Sequence, residues 1–220
     1  MTRKREGKYF YCVIPCNQEK SFGNIGMNKE EVYTIPYKGV AAVVSDSPMM
    51  DYELTEDNTR RHEEVLRHIM KEHTVVPVEF GTVIKNERIL SRLLRKAYNS
   101  TKECLRLVDN MVELGVKAIL NKDIVYFDAE KGKECASDIL ESLNSKAIQA
   151  VIGELFSDRL FLNASFLVDK GGIDAFSNEV ARLKEKYLML KFLYSGPWAP
   201  YNFVYIKIGT QGIEVSQKVK

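Results

Sequence analysis

The sequence predicts an α+β protein of two small α/β-sandwich domains, residues 1–110 and 111–220. Each is expected to be a mostly antiparallel sheet with helices on one face, the second one ferredoxin-like. Three observations predict this. The first half reads strand, strand, strand, helix, strand, helix, an order that suits helices layered on an antiparallel sheet. The second half reads β-α-β-α-β with one further strand, and two helices on one side of such a sheet give a ferredoxin-like layout. The length of 220 residues suits two small domains, and the 45% hydrophobic and 10% aromatic content supplies side chains to bury.

Tyr9 to Pro15 reads as a strand. Tyr9, Tyr11 and Val13 lie on one face and Phe10, Cys12 and Ile14 on the other; both are apolar, so cover on both sides is expected. Asn17 to Lys29 reads as a loop, and its two glycines, Gly23 and Gly26, have no phosphate-cradling spacing. Strands follow at Glu31–Tyr37 and Val40–Ser45, joined by a turn at Lys38-Gly39. A helix begins at Thr55, a good N-cap, with Glu56 and Asp57 at its positive end. Its apolar stripe is His62, Val65, Leu66, Ile69, Met70 and His73.

Val75-Val76-Pro77-Val78-Glu79-Phe80-Gly81-Thr82-Val83-Ile84 is predicted to be a central strand. Its β-branched and aromatic residues suit a half-buried pleat. Pro77 belongs at a strand's beginning or at a bulge, and Gly81 marks a bend or a close approach of backbone. Structurally this is a buried strand with a kink; functionally, the kink exposes a surface to a partner. Asn86 then caps a helix from Glu87 to about Val108. Its stripe runs through Ile89, Leu90, Leu93, Leu94, Ala97, Tyr98, Thr101, Cys104, Leu105 and Val108, and a basic, solvated face lies opposite.

The domain boundary is placed near Asn110. Beyond it come a strand at Val112–Leu120, a turn at Asn121-Lys122-Asp123, and a helical segment from about Gly132 to Phe156 that Asn144-Ser145 can divide. Leu160–Val168 is a strand, Lys170-Gly171-Gly172 leads into a helix bearing Phe176, Val180, Leu183 and Tyr187, and strands are expected at Leu188–Tyr194 and Tyr201–Ile208.

Composition excludes several functions. Net charge is +2, from 32 basic and 30 acidic residues, which gives nucleic-acid binding no support. Arg3-Lys4-Arg5 reads as a solvated end. No apolar run reaches the ~18 to 20 residues of a membrane span. The polar start lacks a signal peptide's apolar stretch, so a cytosolic protein is expected. Cys12, Cys16, Cys104 and Cys135 have no CxxC spacing and read as buried thiols. His62, His68 and His73 share one helix, but His62 and His68 point about 120° apart, and Leu66 stands where a zincin motif needs its second histidine. His62 is therefore read as a hydrogen-bonded histidine at a core margin. No cofactor or metal is expected, and a hydrolase using His62 with Glu63 or Glu64 is the weakest reading.

A second unusual stretch is Ser195-Gly196-Pro197-Trp198-Ala199-Pro200-Tyr201-Asn202-Phe203. Two prolines stiffen it, Gly196 permits a sharp turn, and the chain's only tryptophan lies between them. Trp198 and Tyr201 can clamp one domain onto the other or anchor a partner. Taken with Pro77-Val78-Glu79-Phe80-Gly81-Thr82-Val83, this stretch resembles the gas vesicle protein F/L family. Tyr9-Phe10-Tyr11, Ala41-Ala42-Val43-Val44-Ser45, His62 and Asn163-Ala164-Ser165-Phe166-Leu167-Val168 fall in matching order, so the resemblance covers about Tyr9 to Phe203. Glu79 stands where the family often has a basic residue, Ala199 replaces one proline, and Asp123 to Phe156 is short.

The resemblance implies two α+β domains and no catalysis. It also implies a gas vesicle accessory protein in the cytoplasm or on the vesicle, with gas vesicle protein A, the small apolar shell protein, and other accessory proteins as partners. A shell subunit with one strongly apolar face aggregates unless covered or added in order. The partner-binding or domain-docking candidates are Pro77, Phe80, Gly81, Thr82, Pro197, Trp198, Pro200, Tyr201 and Phe203. The alternative is a small-molecule-binding regulatory protein with tandem ferredoxin-like domains.

Overall fold

The structure, a computed structural model, describes residues 7–124 and 128–206; Arg3-Lys4-Arg5, Lys207 and Ile208 lie outside them. It is the α+β protein the sequence predicts, and every strand pairing among the described residues is antiparallel. The chain divides into two compact units. Among the described residues, one holds 7–109 together with 199–206, and the other runs from Asn110 to Trp198. Residues 199–206 thus join the first unit, where the sequence reading had put them in the second domain.

The first unit's elements are β1 (Gly7–Pro15), β2 (Ser21–Gly23), β3 (Val32–Tyr37), β4 (Val40–Ser47), α1 (Glu56–Ile69), β5 (Val76–Pro77), β6 (Val83–Ile84) and α2 (Glu87–Leu107). The sheet order is β2-β3-β4-β1-β5, with β6 also paired to β1. β1 is the central strand, and Tyr9 to Ile14 are all at most 3% exposed. On one side Tyr9 and Tyr11 meet His62 of α1; on the other, Phe10 meets a wall that includes Leu93 of α2. Two apolar faces on one strand call for two layers of cover, and here α1 and α2 supply one each, so this unit's helices flank the sheet where one covered face was expected.

The stretch predicted as the central strand is instead an interrupted edge. Val76–Pro77 and Val83–Ile84 pair only with β1. Between them the chain turns out of the sheet, because Pro77 has no N–H to donate and Gly81 takes a φ of 81°. Both helix starts fall where their caps predict. Thr55 accepts from the Asn58 amide at 3.2 Å, and Asn86 from that of Ile89 at 3.0 Å. α2 buries Leu90, Leu94, Ala97, Thr101, Cys104 and Leu105, and Asn110, at φ 57°, turns the chain into the second unit.

The second unit contains β7 (Met111–Leu120), α3 (Ala129–Asn144), β8 (Gln149–Ile152), β9 (Leu160–Asp169), α4 (Ile173–Lys186) and β10 (Leu190–Trp198). The order β-α-β-β-α-β with the sheet sequence β10-β7-β9-β8 is the ferredoxin-like layout. β9 alternates buried and half-buried residues along most of its length, as a one-sided sheet requires. Phe166 on its covered side packs against Phe176 of α4, ring centres 5.2 Å apart.

Two sequence expectations are corrected here. The helix does not continue to Phe156: it ends at Asn144, and the next apolar run forms β8, since a run this short fits either period. Tyr201–Phe203 is a 3₁₀ turn in the first unit, not a strand. Pro200, at φ −79° and ψ 63°, forms an inverse γ-turn in which the Tyr201 amide donates to the Ala199 carbonyl at 2.8 Å. The second helix's packing has a direct check. Leu94, 1% exposed, is expected to cost about 2–5 kcal/mol when cut to Ala, read by chemical denaturation; an unchanged midpoint would contradict its place in the core.

Candidate partner-binding site

The two unusual sequence stretches divide between the units. Pro197 and Trp198 close β10 of the second unit, where Trp198 is half-buried and opposes Glu113 of β7. Pro77, Phe80, Gly81, Thr82, Pro200, Tyr201 and Phe203 belong to the first unit, and three of them, Pro77, Thr82 and Tyr201, line one apolar cleft. Phe10, Val78, Leu93, Val204 and Ile206 line it too, with Glu79 at its polar margin, around a volume of about 150 Å3. In the sequence Phe10 and Val78 fall within the motifs and Leu93 within a helix stripe, but none of these wall residues is named there as a partner-binding candidate. Half-buried apolar side chains such as Leu93 read as ordinary core stripe until the fold shows which lies at a gap.

The turn that shapes the cleft is fixed by local bonds. The Thr82 hydroxyl donates to the Glu79 carbonyl at 2.7 Å and the Thr82 amide to the same oxygen at 3.3 Å. The Phe10 amide donates to the Thr82 carbonyl and that of Val78 to Tyr11, both at 2.9 Å, so the turn's two ends are stitched to β1. The positive φ at Gly81 suits glycine. It also aims the Gly81 amide at the Tyr9 hydroxyl, 2.9 Å away. Glu79 is exposed, so the turn does not depend on burial of its side chain.

Beneath the turn lies a buried polar chain centred on His62, 1% exposed. Its Nδ1 is 3.0 Å from the Tyr9 hydroxyl and its Nε2 is 2.9 Å from that of Tyr201. The Tyr201 hydroxyl donates to Glu63 Oε1 at 3.1 Å, so its oxygen accepts from His62 Nε2–H. The other ring nitrogen then carries the lone pair and accepts from Tyr9, whose oxygen accepts from Gly81. A neutral imidazole with its proton on Nε2 gives every donor in this series an acceptor. Phe80 lies edge-on to the imidazole at 5.8 Å and to Tyr9 at 6.5 Å.

Burial pulls the His62 pKa down to about 4, against a weaker opposite pull from the Val78 backbone. Burial likewise pushes the Tyr9 and Tyr201 hydroxyls far above the usual phenol range, with Glu63 adding to the rise at Tyr201. With both ring nitrogens engaged, His62 has no lone pair to give a metal. Among the described residues no group of three or more His, Cys, Asp or Glu is placed to hold one.

Comparison with known proteins gives the family. The family model described as "Gas vesicle synthesis protein GvpL/GvpF" matches residues 7–131 and 127–205. The chain belongs to this family. It is 38% identical over 185 residues to gas vesicle protein F1 of Halobacterium salinarum, spanning 83% of this chain and 85% of that protein. To gas vesicle protein F of Haloferax mediterranei it is 39% identical over 185 residues, spanning 82% and 84%. The fold is similar to the crystal structure of the gas vesicle protein GvpF from an Anabaena species, with a TM-score of 0.78 at 19% identity over 90% of this chain and 98% of that one. GvpF from Microcystis aeruginosa is equally similar, at 0.78 and 18% identity over the same shares. Membership places the chain among the accessory proteins of gas vesicle formation, a family not known as enzymes. Among the described residues no helix is long and apolar enough to cross a membrane.

The depressed histidine pKa carries a stability signature. In the unfolded chain His62 takes a proton near pH 6.5, but in the fold only near 4. Its neutral form therefore favours the folded state fully above about pH 7, and this is lost as pH falls from 6.5 through 4. At about 1.4 kcal/mol per unit the loss approaches roughly 3 kcal/mol. His62→Gln is expected to flatten the slope of unfolding free energy between pH 7 and pH 5, relative to wild type. Equal slopes would contradict the burial of a neutral His62.

Proposed function

We propose that this protein assists gas vesicle assembly by receiving an apolar segment of the shell protein, gas vesicle protein A, in the cleft between the Glu79–Thr82 turn and α2. Other gas vesicle accessory proteins are further partners, and the place of action is the cytoplasm at the growing vesicle. One observation supports the reading above others. Pro77 and Thr82 from one unusual stretch and Tyr201 from the other, far apart in sequence, line a single apolar cleft. The wall is preorganised by the hydrogen bonds around His62, which lowers the cost of ordering a partner against it. Phe80, Gly81 and Pro200 act in this account by holding that wall, and Phe203, 7% exposed, by anchoring the turn beneath it. Pro197 and Trp198, on the second unit, are proposed as a separate contact.

The alternative, a small-molecule-binding regulatory protein, rested on tandem ferredoxin-like domains. Only the second unit has that topology. The apolar cleft itself, at about 150 Å3, is below the roughly 300–1,000 Å3 usual for small-molecule pockets.

Retention of purified shell protein on the immobilised chain tests the proposal. Leu93→Glu puts a charge on the cleft wall and is expected to weaken binding by at least about tenfold, the loss of an apolar anchor. Its thermal midpoint should stay close to that of wild type. A folded Leu93→Glu protein that binds as wild type does, or a wild type that binds nothing, would remove the cleft from the account.

A further inference from the structure

We propose that two copies of this chain pair through the outer edge of β8, antiparallel and centred on Ala150. The two edges of the second unit's sheet are built differently. β10, at one end, carries exposed Lys191, Pro197 and a bulge between Ser195 and Trp198, which are the usual devices that keep a strand edge from adding another. β8, at the other end, is Gln149-Ala150-Val151-Ile152 and has no charge, proline or bulge. Among the described residues it has no neighbour beyond β9. Ile148 is 66% and Ile152 61% exposed, so the edge and its apolar side chains are open together.

The sequence around Ala150 is self-complementary. A pairing centred there sets each residue opposite the one equally far on the other side. Ile148 then faces the second copy's Ile152, and Ile152 the second copy's Ile148. Lys146 and Glu154 flank the pair in the same relation, so each Lys146 approaches the second copy's Glu154. Ile148, Ala150 and Ile152 share a side by strand alternation, the side to which Phe166 points, since Ala150 is its cross-strand neighbour. Pairing therefore covers four exposed isoleucines, two from each copy, and extends the apolar layer beneath the helices. It joins two four-stranded sheets into one. This is a two-fold, isologous contact, in which one surface meets itself. Cross-strand apolar and opposite-charge pairs are the units that stabilise such a ladder.

Sedimentation of the purified full chain over a concentration series tests this, with Ile152→Lys and Ala150→Cys as variants. Wild type is expected to reach the mass of two chains at high concentration and to dissociate on dilution. Ile152→Lys should stay at one chain's mass at every concentration, with an unchanged thermal midpoint. Ala150→Cys should give a covalent pair on oxidation that wild type, with its native cysteines, does not. A wild type that never exceeds one chain's mass, an Ile152→Lys protein that still pairs, or a pair that Ala150→Cys does not cross-link would each overturn the proposal. A single-chain wild type whose capture of shell protein is lost in Ile152→Lys would assign this edge to that partner instead.

Discussion

The first unit depends on one constraint: a histidine with no access to water must have both ring nitrogens satisfied. An unmet polar group in such a place costs about 1–3 kcal/mol. The fold meets the constraint in series, from the Gly81 amide through Tyr9, His62 and Tyr201 to Glu63. The series joins four pieces of chain that are remote in sequence: the first strand, the first helix, the Glu79–Thr82 turn and the turn at Tyr201. It has a direction, because the carboxylate at one end accepts only and the amide at the other donates only. That direction fixes the tautomer and hence the rotation of the imidazole. The turn above it, and with it the cleft wall, is held by the same bonds.

Much of the fold was legible in the sequence, for identifiable reasons. Thr55 and Asn86 announced their helices because a short oxygen-bearing side chain just before an apolar stripe meets an unmet amide. The double apolar face of Tyr9–Ile14 announced a strand covered on both sides. What failed were short apolar runs whose period is ambiguous. Ala147–Ile152 continued a helical pattern on paper, and only its position beside β9 makes it a strand. Val76 to Ile84 had the composition of a central strand, yet Pro77 and Gly81 were enough to break it into two short pieces on an edge.

The site was half legible. Pro77, Gly81, Thr82 and Tyr201 stood out because proline, glycine and aromatic residues in short runs are unusual. Their convergence was not readable, since it passes through Tyr9, which looks like ordinary core, and through His62, whose partners lie far away in sequence. His62 drew attention as a ligand or catalyst only because histidine is rare here; three occur in the chain. Burial converts it into a structural link. The tryptophan loop reads in sequence as either a clamp between domains or a partner anchor; in the structure Trp198 ends a strand of one unit and Tyr201 begins a turn in the other. A family resemblance carried by both stretches does not require them to act as one contact.

The most direct test of the central claim is the protonation of the His62 ring, observed by nitrogen NMR of histidine-labelled protein at pH 6, below the ordinary histidine value near 6.5. The account predicts a neutral ring with the proton on Nε2 and a bare, hydrogen-bonded Nδ1. A doubly protonated ring at that pH, or a neutral ring with its proton on Nδ1, would contradict it.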